Sequence, residues 1–254
     1  MAPTRIPVVR CEIPLRLPAP APGFRERLGL EPGEVAFITS ADPGSDLTRK
    51  NPGAALDAFE RSGAAALGAK LVVKLNRRSL PRLTPAMKAS LDGLVERIRG
   101  APGVLALDDD LSYPEVLGLY AACDAYVSLH RAEGFGLPLL EAMLLGRPVI
   151  ATAYSGNLSF MGEGNACMVP CRKVPVAAQH PAYLAPSLAG AQWAEPDLGT
   201  AARWFRELAS SADLRRRIGA AAQRDAAAYV ERAARLSWLA GLNAPSIASP
   251  GAGR

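Results

Sequence analysis

Histidine and cysteine are scarce in this sequence, which limits the metal and disulfide chemistry that it can carry. Only two of the 254 residues are histidine and four are cysteine. Cys167 and Cys171 are separated by three residues, whereas zinc sites normally show more closely paired ligands. We therefore expect no metal site, no disulfide framework and a reducing compartment.

Long hydrophobic runs are also missing. No apolar stretch approaches the roughly 20 residues that a membrane-spanning helix needs. The opening residues, which include Pro3 and Pro7, lead into no apolar core of a secretory signal peptide. We expect a cytoplasmic protein, and peripheral contact with a membrane stays open.

Aromatic residues are few, at 6%, and the net charge is only +5. The basic residues are scattered, and only short clusters occur, such as Arg77-Arg78 and residues 215–217. A nucleic-acid-binding domain normally shows a clustered basic stripe with aromatic residues. We therefore expect no nucleic acid as a partner and interpret the charge as a solvated basic face.

Proline divides the chain into regions. Residues 1–33 contain seven prolines, including Pro18, Pro20 and Pro22. Because proline fixes φ and has no amide hydrogen, such a stretch favours extended, polyproline-like chain and not a helix. We predict a linker-like segment over residues 1–33, a folded domain over residues 34–240 and a flexible tail over residues 241–254.

Within residues 34–240, short apolar runs alternate with stretches of helical character. An apolar strand without polar alternation indicates a sheet that is buried on both faces, and alternation with helices indicates βαβ units. The sequence therefore predicts an α/β fold with a Rossmann-like, doubly wound parallel sheet. The predicted strands are 35–39, 70–74, 104–107, 125–129 and 148–152, and the predicted helices are 52–62, 85–99, 113–122 and 138–145, followed by irregular chain from 170 to 196 and helix from 197 to about 238.

In such a sheet, ligands bind beyond the carboxyl ends of the strands. After the first strand, Arg49 and Lys50 directly precede a helix that begins at Pro52. Two cations beside a helix N-terminus suit a diphosphate. The alternative interpretation is a capped helix with solvated charges.

The loop after the fourth strand is the most informative. Glu133 lies in a Gly-rich loop, and Glu141 follows about one turn into the next helix, so two carboxylates flank a helix start whose N–H groups can bind an anion. Carboxylates also suit ribose or sugar hydroxyls, since each accepts several hydrogen bonds. A third loop of small residues, ending in Gly156 and Asn157, follows the fifth strand, so the three loops are expected to form one cleft.

These residues resemble glycosyltransferase family 4, also called group 1. The E-x7-E motif of that family is present as Glu133-Gly134-Phe135-Gly136-Leu137-Pro138-Leu139-Leu140-Glu141, and Ala142-Met143 and Pro148-Val149-Ile150 continue it. Arg49-Lys50-Asn51-Pro52 and residues 123–131, 153–157 and 193–197 are similar to one bacterial branch of the family. The resemblance covers about residues 34 to 240.

The resemblance implies a GT-B fold, of which this chain would be the C-terminal, donor-binding half. It implies that Lys50 binds the diphosphate of a nucleotide-sugar, helped by Arg49 and the N–H groups of the Gly134–Leu137 loop. It further implies that Glu141 binds the ribose hydroxyls and Glu133 the transferred sugar, so that Lys50 and Glu133 would be the catalytic contacts. Such enzymes retain the anomeric configuration, with no metal or other cofactor. The donor-binding set is then Arg49, Lys50, Lys74, Glu133, Gly134, Phe135, Gly136, Leu137, Glu141, Gly156 and Asn157.

The sequence departs from the family in two respects. Family members often carry Gly-Arg at the end of the first strand of this domain, where this chain has Thr39-Ser40-Ala41-Asp42, so either Arg49 or Lys74 substitutes or donor binding is weakened. The resemblance also implies that the acceptor-binding domain is not included in these residues, and the Pro-rich opening resembles the linker between GT-B halves.

Three functional hypotheses stay open, besides a sugar-nucleotide epimerase of the same fold, which would also need both domains. The first is a retaining glycosyltransferase half that acts in glycan or polysaccharide biosynthesis and is not active alone. The second is a subunit of a split glycosyltransferase that pairs with a separate acceptor-binding subunit. The third is a noncatalytic or degenerate nucleotide-sugar-binding module. The sequence does not distinguish UDP from GDP donors.

Overall fold

A six-stranded parallel sheet organises the domain in the computed structural model, which describes residues 13–76, 83–177, 181 and 189–235. The strand order is β3-β2-β1-β4-β5-β6, so the predicted Rossmann-like sheet is confirmed. The strands are β1 (Ala36–Ala41), β2 (Lys70–Leu75), β3 (Val104–Leu107), β4 (Ala125–Ser128), β5 (Val149–Thr152) and β6 (Cys167–Val169).

Helices cover both faces of this sheet, as a doubly wound fold requires. Phe37 of β1 packs with Phe59 and Phe205 on one face, at ring-centroid distances of 6.3 and 4.7 Å. The neighbouring residue Ile38 belongs to the hydrophobic cluster on the other face, because successive strand residues point to opposite sides. The helices are α1 (Phe24–Arg27), α2 (Leu47–Lys50), α3 (Pro52–Ser62), α4 (Pro85–Gly100), α5 (Tyr113–Ala122), α6 (Leu137–Leu144), α7 (Leu198–Ser210) and α8 (Ala212–Arg235).

The Pro-rich segment has neither helix nor strand over residues 13–22, but it then forms the single turn α1 and joins the core. Phe24 and Leu30 are both buried in one of the two hydrophobic clusters. The Ala21 N–H donates to the Pro114 carbonyl at 2.9 Å, which ties the segment to the start of α5. Residues 21–33, which the proline content assigns to the linker-like segment, therefore pack on the domain.

The prediction of irregular chain from 170 to 196 is wrong at both ends of that region. Residues Cys171–Pro175 form β7 and Gln192–Pro196 form β8, and the two strands pair antiparallel in a separate two-stranded sheet. Trp193 and Ala194 bury their side chains there. The pairing joins residues that are far apart in sequence, so no local pattern indicated it.

The predicted helix from 197 to about 238 is two helices. Ser211 has extended backbone between α7 and α8, and its hydroxyl accepts a hydrogen bond from the Leu214 N–H at 3.1 Å. A serine that caps the following turn in this way ends one helix and starts the next. The predictions for residues beyond 235, for residues 1–12 and for Arg77-Arg78 lie outside the described residues.

Candidate functional site

A polar cleft of about 380 Å³ opens at the carboxyl ends of the central strands β1, β2 and β4. Its lining includes four of the predicted site residues, Arg49, Lys50, Lys74 and Glu133. A larger cavity of about 850 Å³ lies beside it, between α4 and the ends of β2 and β3. Its walls are mainly apolar and carry none of the predicted site residues, so we assign the candidate site to the polar cleft.

Lys50 and Glu133 form an ion pair across this cleft, with 2.5 Å between Lys50 Nζ and Glu133 Oε2. Lys50 ends the short helix α2, whose start is fixed by the buried Asp46 carboxylate, an acceptor for the N–H groups of Thr48 and Arg49. The structure therefore brings together the two residues that the resemblance makes catalytic, although they are 83 positions apart.

The Arg49 side chain turns towards the backbone of the Glu133 loop. Its guanidinium donates to the Ala132 carbonyl at 3.0 Å and to the Ser45 carbonyl at 3.3 Å. These two bonds leave part of the guanidinium for the cleft, which Arg49 also lines. Arg49 thus connects the first loop to the fourth-strand loop as well as contributing a positive charge.

Lys74 provides a third cation at the end of β2. It is paired in register with Ser40 of β1, so it lies beside the strand end at which the family often carries an arginine. Only 8% of the residue is exposed, and its Nζ donates to the Leu75 carbonyl at 3.0 Å. Lys74 lines the same cleft as Arg49 and Lys50, and cationic side chains in a cleft favour the binding of phosphate groups.

The Glu133 loop leads into the N-terminus of α6. Gly136 has φ +96°, a conformation that glycine adopts readily, and its carbonyl accepts from the N–H groups of Leu139 and Leu140. Within the described ranges, no protein group accepts a hydrogen bond from the N–H of Phe135, Gly136 or Leu137. This helix start can therefore bind an anion, as the sequence predicts.

Glu141 lies one turn further along α6 and is only 7% exposed. Burial raises the pKa of its carboxyl group, and a hydrogen bond from the Tyr113 hydroxyl to Oε1, at 2.9 Å, acts in the opposite direction. Tyr113 is the first residue of α5, and sequence patterns gave no indication of this contact. The carboxylate is thus positioned by a side chain from a different helix.

The loop after β5 packs directly on the Glu133 loop. Ser155 has φ +83°, and its hydroxyl donates to the Glu133 carbonyl at 2.5 Å. The Gly156 N–H donates to the same carbonyl at 3.2 Å. Asn157 is fully buried and donates to the Thr152 carbonyl at 3.1 Å. The described contacts of Gly156 and Asn157 are therefore with protein, and donor contact by either residue stays a prediction.

His130, three residues before Glu133, connects strand β4 to the loop after β5 by hydrogen bonds. His130 is fully buried, with Nε2 at 3.0 Å from the Tyr154 carbonyl and Nδ1 at 2.9 Å from the Ser128 hydroxyl. Since a carbonyl only accepts, Nε2 carries the proton and Nδ1 accepts from Ser128. Burial lowers the pKa of His130, so the ring stays neutral and serves as a structural link.

Arg131 joins the site to the two-stranded sheet. Its guanidinium forms a two-point ion pair with Glu195 of β8, at 2.7 and 3.0 Å, and donates to the Thr48 carbonyl at 2.8 Å. Such forked contacts are stronger and more directional than single ones. No local signal marked Arg131 as a support of this kind, because its partners lie 64 and 83 positions away.

Other classes of site are not found in the described part of the chain. No group of three or more His, Cys, Asp and Glu side chains among those residues is arranged to hold a metal ion. No helix in the same ranges is both long and apolar enough to cross a membrane.

Comparison with known proteins agrees with the resemblance. Residues 109–179, which include Glu133 and Glu141, match the family model described as glycosyl transferases group 1. Among curated proteins, none matches the chain. The match to this family model thus covers the segment that carries the E-x7-E motif.

Solved structures share the fold at low identity. The structure of WaaG, a glycosyltransferase involved in lipopolysaccharide biosynthesis, is 19% identical with a TM-score of 0.54, over 83% of this chain and 49% of that chain. A sucrose-phosphate synthase from Thermosynechococcus elongatus is 20% identical with a TM-score of 0.63, over 91% of this chain and 51% of that one. A GtfA/B complex is 19% identical with a TM-score of 0.52, over 79% and 35%. The chain therefore spans about half the length of the first two structures.

Proposed function

We propose that this chain, whose residues 109–179 match group 1 glycosyl transferases, is the donor-binding half of a retaining glycosyltransferase. A nucleotide-sugar would occupy the cleft at the carboxyl ends of β1, β2 and β4. The observation that carries this proposal is the convergence of Lys50, Lys74 and Glu133 on one cleft beside the N-terminus of α6. Glycan or polysaccharide biosynthesis is the process in which such a transfer would act.

Each part of the donor has a chemically suitable partner. Lys50, Lys74 and the N–H groups at residues 135–137 would bind the diphosphate, while Glu133 would accept hydrogen bonds from the sugar hydroxyls. Glu141, behind the cleft, would receive the ribose hydroxyls. Carboxylates accept such bonds strongly, and positive groups attract phosphate.

The same groups would assist the reaction. As the sugar leaves, negative charge develops on the departing diphosphate, and fixed cations with an oriented helix N-terminus stabilise that charge. Lys50 is held by Glu133 in the free protein and would be shared with the diphosphate when the donor binds. The mechanism requires no protein nucleophile and no cofactor, and the donor is a substrate.

The acceptor would be bound elsewhere. Since the chain spans about half the length of WaaG and of the sucrose-phosphate synthase, a second domain or a separate subunit would supply the acceptor side. The similarity to a chain of the GtfA/B complex is consistent with a partner subunit. On this proposal the chain alone binds donor but transfers sugar only with that partner.

A noncatalytic binding module is the second candidate. It is favoured by one observation, the residues Ser40 and Ala41 at the end of β1, where family members often carry an arginine. Such a module would bind the nucleotide-sugar without cleaving it.

Calorimetric titration with UDP, GDP and their sugars tests the proposal. We expect saturable binding by the wild-type chain, and at least a tenfold weaker affinity in Lys50→Ala and Glu141→Ala, since each removes a charged contact worth about 1.5–3 kcal/mol. Lys88→Ala is the matched control, because Lys88 is an exposed lysine that lines the larger cavity instead.

Two outcomes would contradict it. Absence of binding at millimolar nucleotide-sugar would refute donor binding by this chain, and unchanged affinity in both variants would refute the assigned cleft. Transfer of sugar from the bound donor after an acceptor-binding domain is added would separate an enzyme half from a noncatalytic module.

A further inference from the structure

We propose that Tyr113 is a positioning residue for Glu141, and that it determines how the Glu141 carboxylate is presented to the ribose. The inference rests on the proposed function, because it deepens the role given there to Glu141. Helix α5 would thus contribute to recognition of the ribose, although it carries none of the donor-binding residues predicted from the sequence.

The contact itself is direct. The Tyr113 hydroxyl lies 2.9 Å from Glu141 Oε1 and donates to it. Burial and this hydrogen bond both raise the pKa of Tyr113, so the phenol keeps its proton at neutral pH. Since a phenol donates one hydrogen bond, that donor is committed to Oε1. No described residue donates to Oε2, and we therefore assign this oxygen to the ribose hydroxyls.

The need for such a contact follows from the burial of Glu141. The residue is 7% exposed, and burial disfavours its charged form. A hydrogen bond from Tyr113 stabilises that form and also fixes the rotation of the carboxylate. A protonated or rotated carboxyl group would accept fewer bonds from a vicinal diol.

The position of Tyr113 is fixed by its own surroundings. Ser112 and Glu115 form a capping box at the start of α5, in which the Glu115 carboxylate accepts from the Ser112 N–H at 2.9 Å. The Pro114 carbonyl accepts from the Ala21 N–H, so the Pro-rich segment also holds this turn. A phenol on a helix start that is held at two places is suited to orienting a second side chain.

The test uses Tyr113→Phe, which removes only the hydroxyl from a side chain that is 40% exposed, so the fold is expected to persist. Calorimetry compares wild type and variant with three ligands: the nucleoside diphosphate, its 2′-deoxy form and its 2′,3′-dideoxy form. We expect about tenfold weaker binding of the ribonucleotide by the variant, the effect of losing one charge-assisted hydrogen bond. The dideoxy form, which offers no ribose hydroxyl, is expected to bind both proteins equally.

A pH series adds a second readout. Without the Tyr113 hydroxyl, the pKa of Glu141 rises further, so the loss of ribonucleotide binding on acidification begins at a higher pH in the variant. A substitution that only loosened the structure would weaken the binding of all three ligands to the same extent. It would not change the pH at which ribonucleotide binding is lost on acidification.

The outcomes separate the two proposals. If the wild-type chain binds none of the three ligands, the proposed function fails and this inference fails with it. In the other case, the wild type binds the ribonucleotide more tightly than its deoxy forms. If Tyr113→Phe then shows the same preference and loses binding at the same pH on acidification, only the role of Tyr113 is overturned.

Discussion

Replacing Gly156 by alanine tests how the Glu133 loop is held. A Cβ atom on Gly156 would lie 2.0 Å from the Gly134 carbonyl oxygen and 2.8 Å from the Phe135 Cα. Both neighbours are backbone atoms, so no side chain can rotate away. Ordinary contact begins near 3.4 Å, and the two loops would have to separate by about 1.4 Å.

The magnitude follows from what that separation breaks. The Gly156 N–H bond to the Glu133 carbonyl would be lost or stretched, which costs about 0.5–1.5 kcal/mol. Forcing an extra methyl group into a packed position costs about 1–3 kcal/mol. We therefore expect Gly156→Ala to lower the free energy of unfolding by about 2–4 kcal/mol and to displace Glu133, weakening donor binding at least tenfold.

Urea unfolding and calorimetric titration measure the two effects. Gly134→Ala is the matched control for stability, because a Cβ there meets no atom within 4 Å although it lies on the same loop. Gly162→Ala, also with open space around it, is the control for binding. The reasoning is refuted if Gly156→Ala is as stable as Gly134→Ala and binds the donor like the wild type.

Two further predictions concern the support of this loop. Arg131→Lys should lower the free energy of unfolding by about 1–3 kcal/mol, because an ammonium group cannot reproduce the two-point pair with Glu195 and the bond to the Thr48 carbonyl; urea unfolding tests this, and an unchanged midpoint would contradict it. His130 has a lowered pKa in the folded state, so the unfolded chain binds the extra proton and stability should fall as pH drops below 6.5 through the folded pKa. Unfolding measured across that range in wild type and His130→Gln, which keeps an N–H for the Tyr154 carbonyl, should show a smaller pH dependence in the variant; equal slopes would exclude His130 as the cause.

The central sheet was predictable because its strands are short apolar runs buried on both faces. β1 to β5 could be identified from that pattern, whereas β6, at three residues, is too short to show any period. The pair β7 and β8 escaped prediction for a different reason. Their residues pair only across a long intervening segment, and each strand ends on a proline, Pro175 or Pro196.

The sequence predicted which residues share the cleft, but it did not predict which of their side chains contact each other. Lys50 and Glu133 were expected in one cleft because they follow strands that open on the same edge of the sheet. Their direct ion pair, and the bond from Tyr113 to Glu141, depend on side-chain positions set by tertiary packing. In sequence, Tyr113 is simply the first residue of a helix, and nothing local distinguishes it from other helix starts.

The antiparallel pair β7 and β8 helps to position the loops that line the cleft. The Arg131 N–H donates to the Arg49 carbonyl, and the Arg131 carbonyl accepts from the Ala194 N–H, each at 2.9 Å. One residue thus connects the loop that carries Lys50, the loop that carries Glu133 and strand β8. Because Lys50 and Glu133 are placed by that junction, a change in residues 192–196 would alter the distance between the two side chains that we assign to the donor. The region that looked irregular in sequence thus contributes, together with Asp46, Ser155 and Gly156, to the spacing of the site.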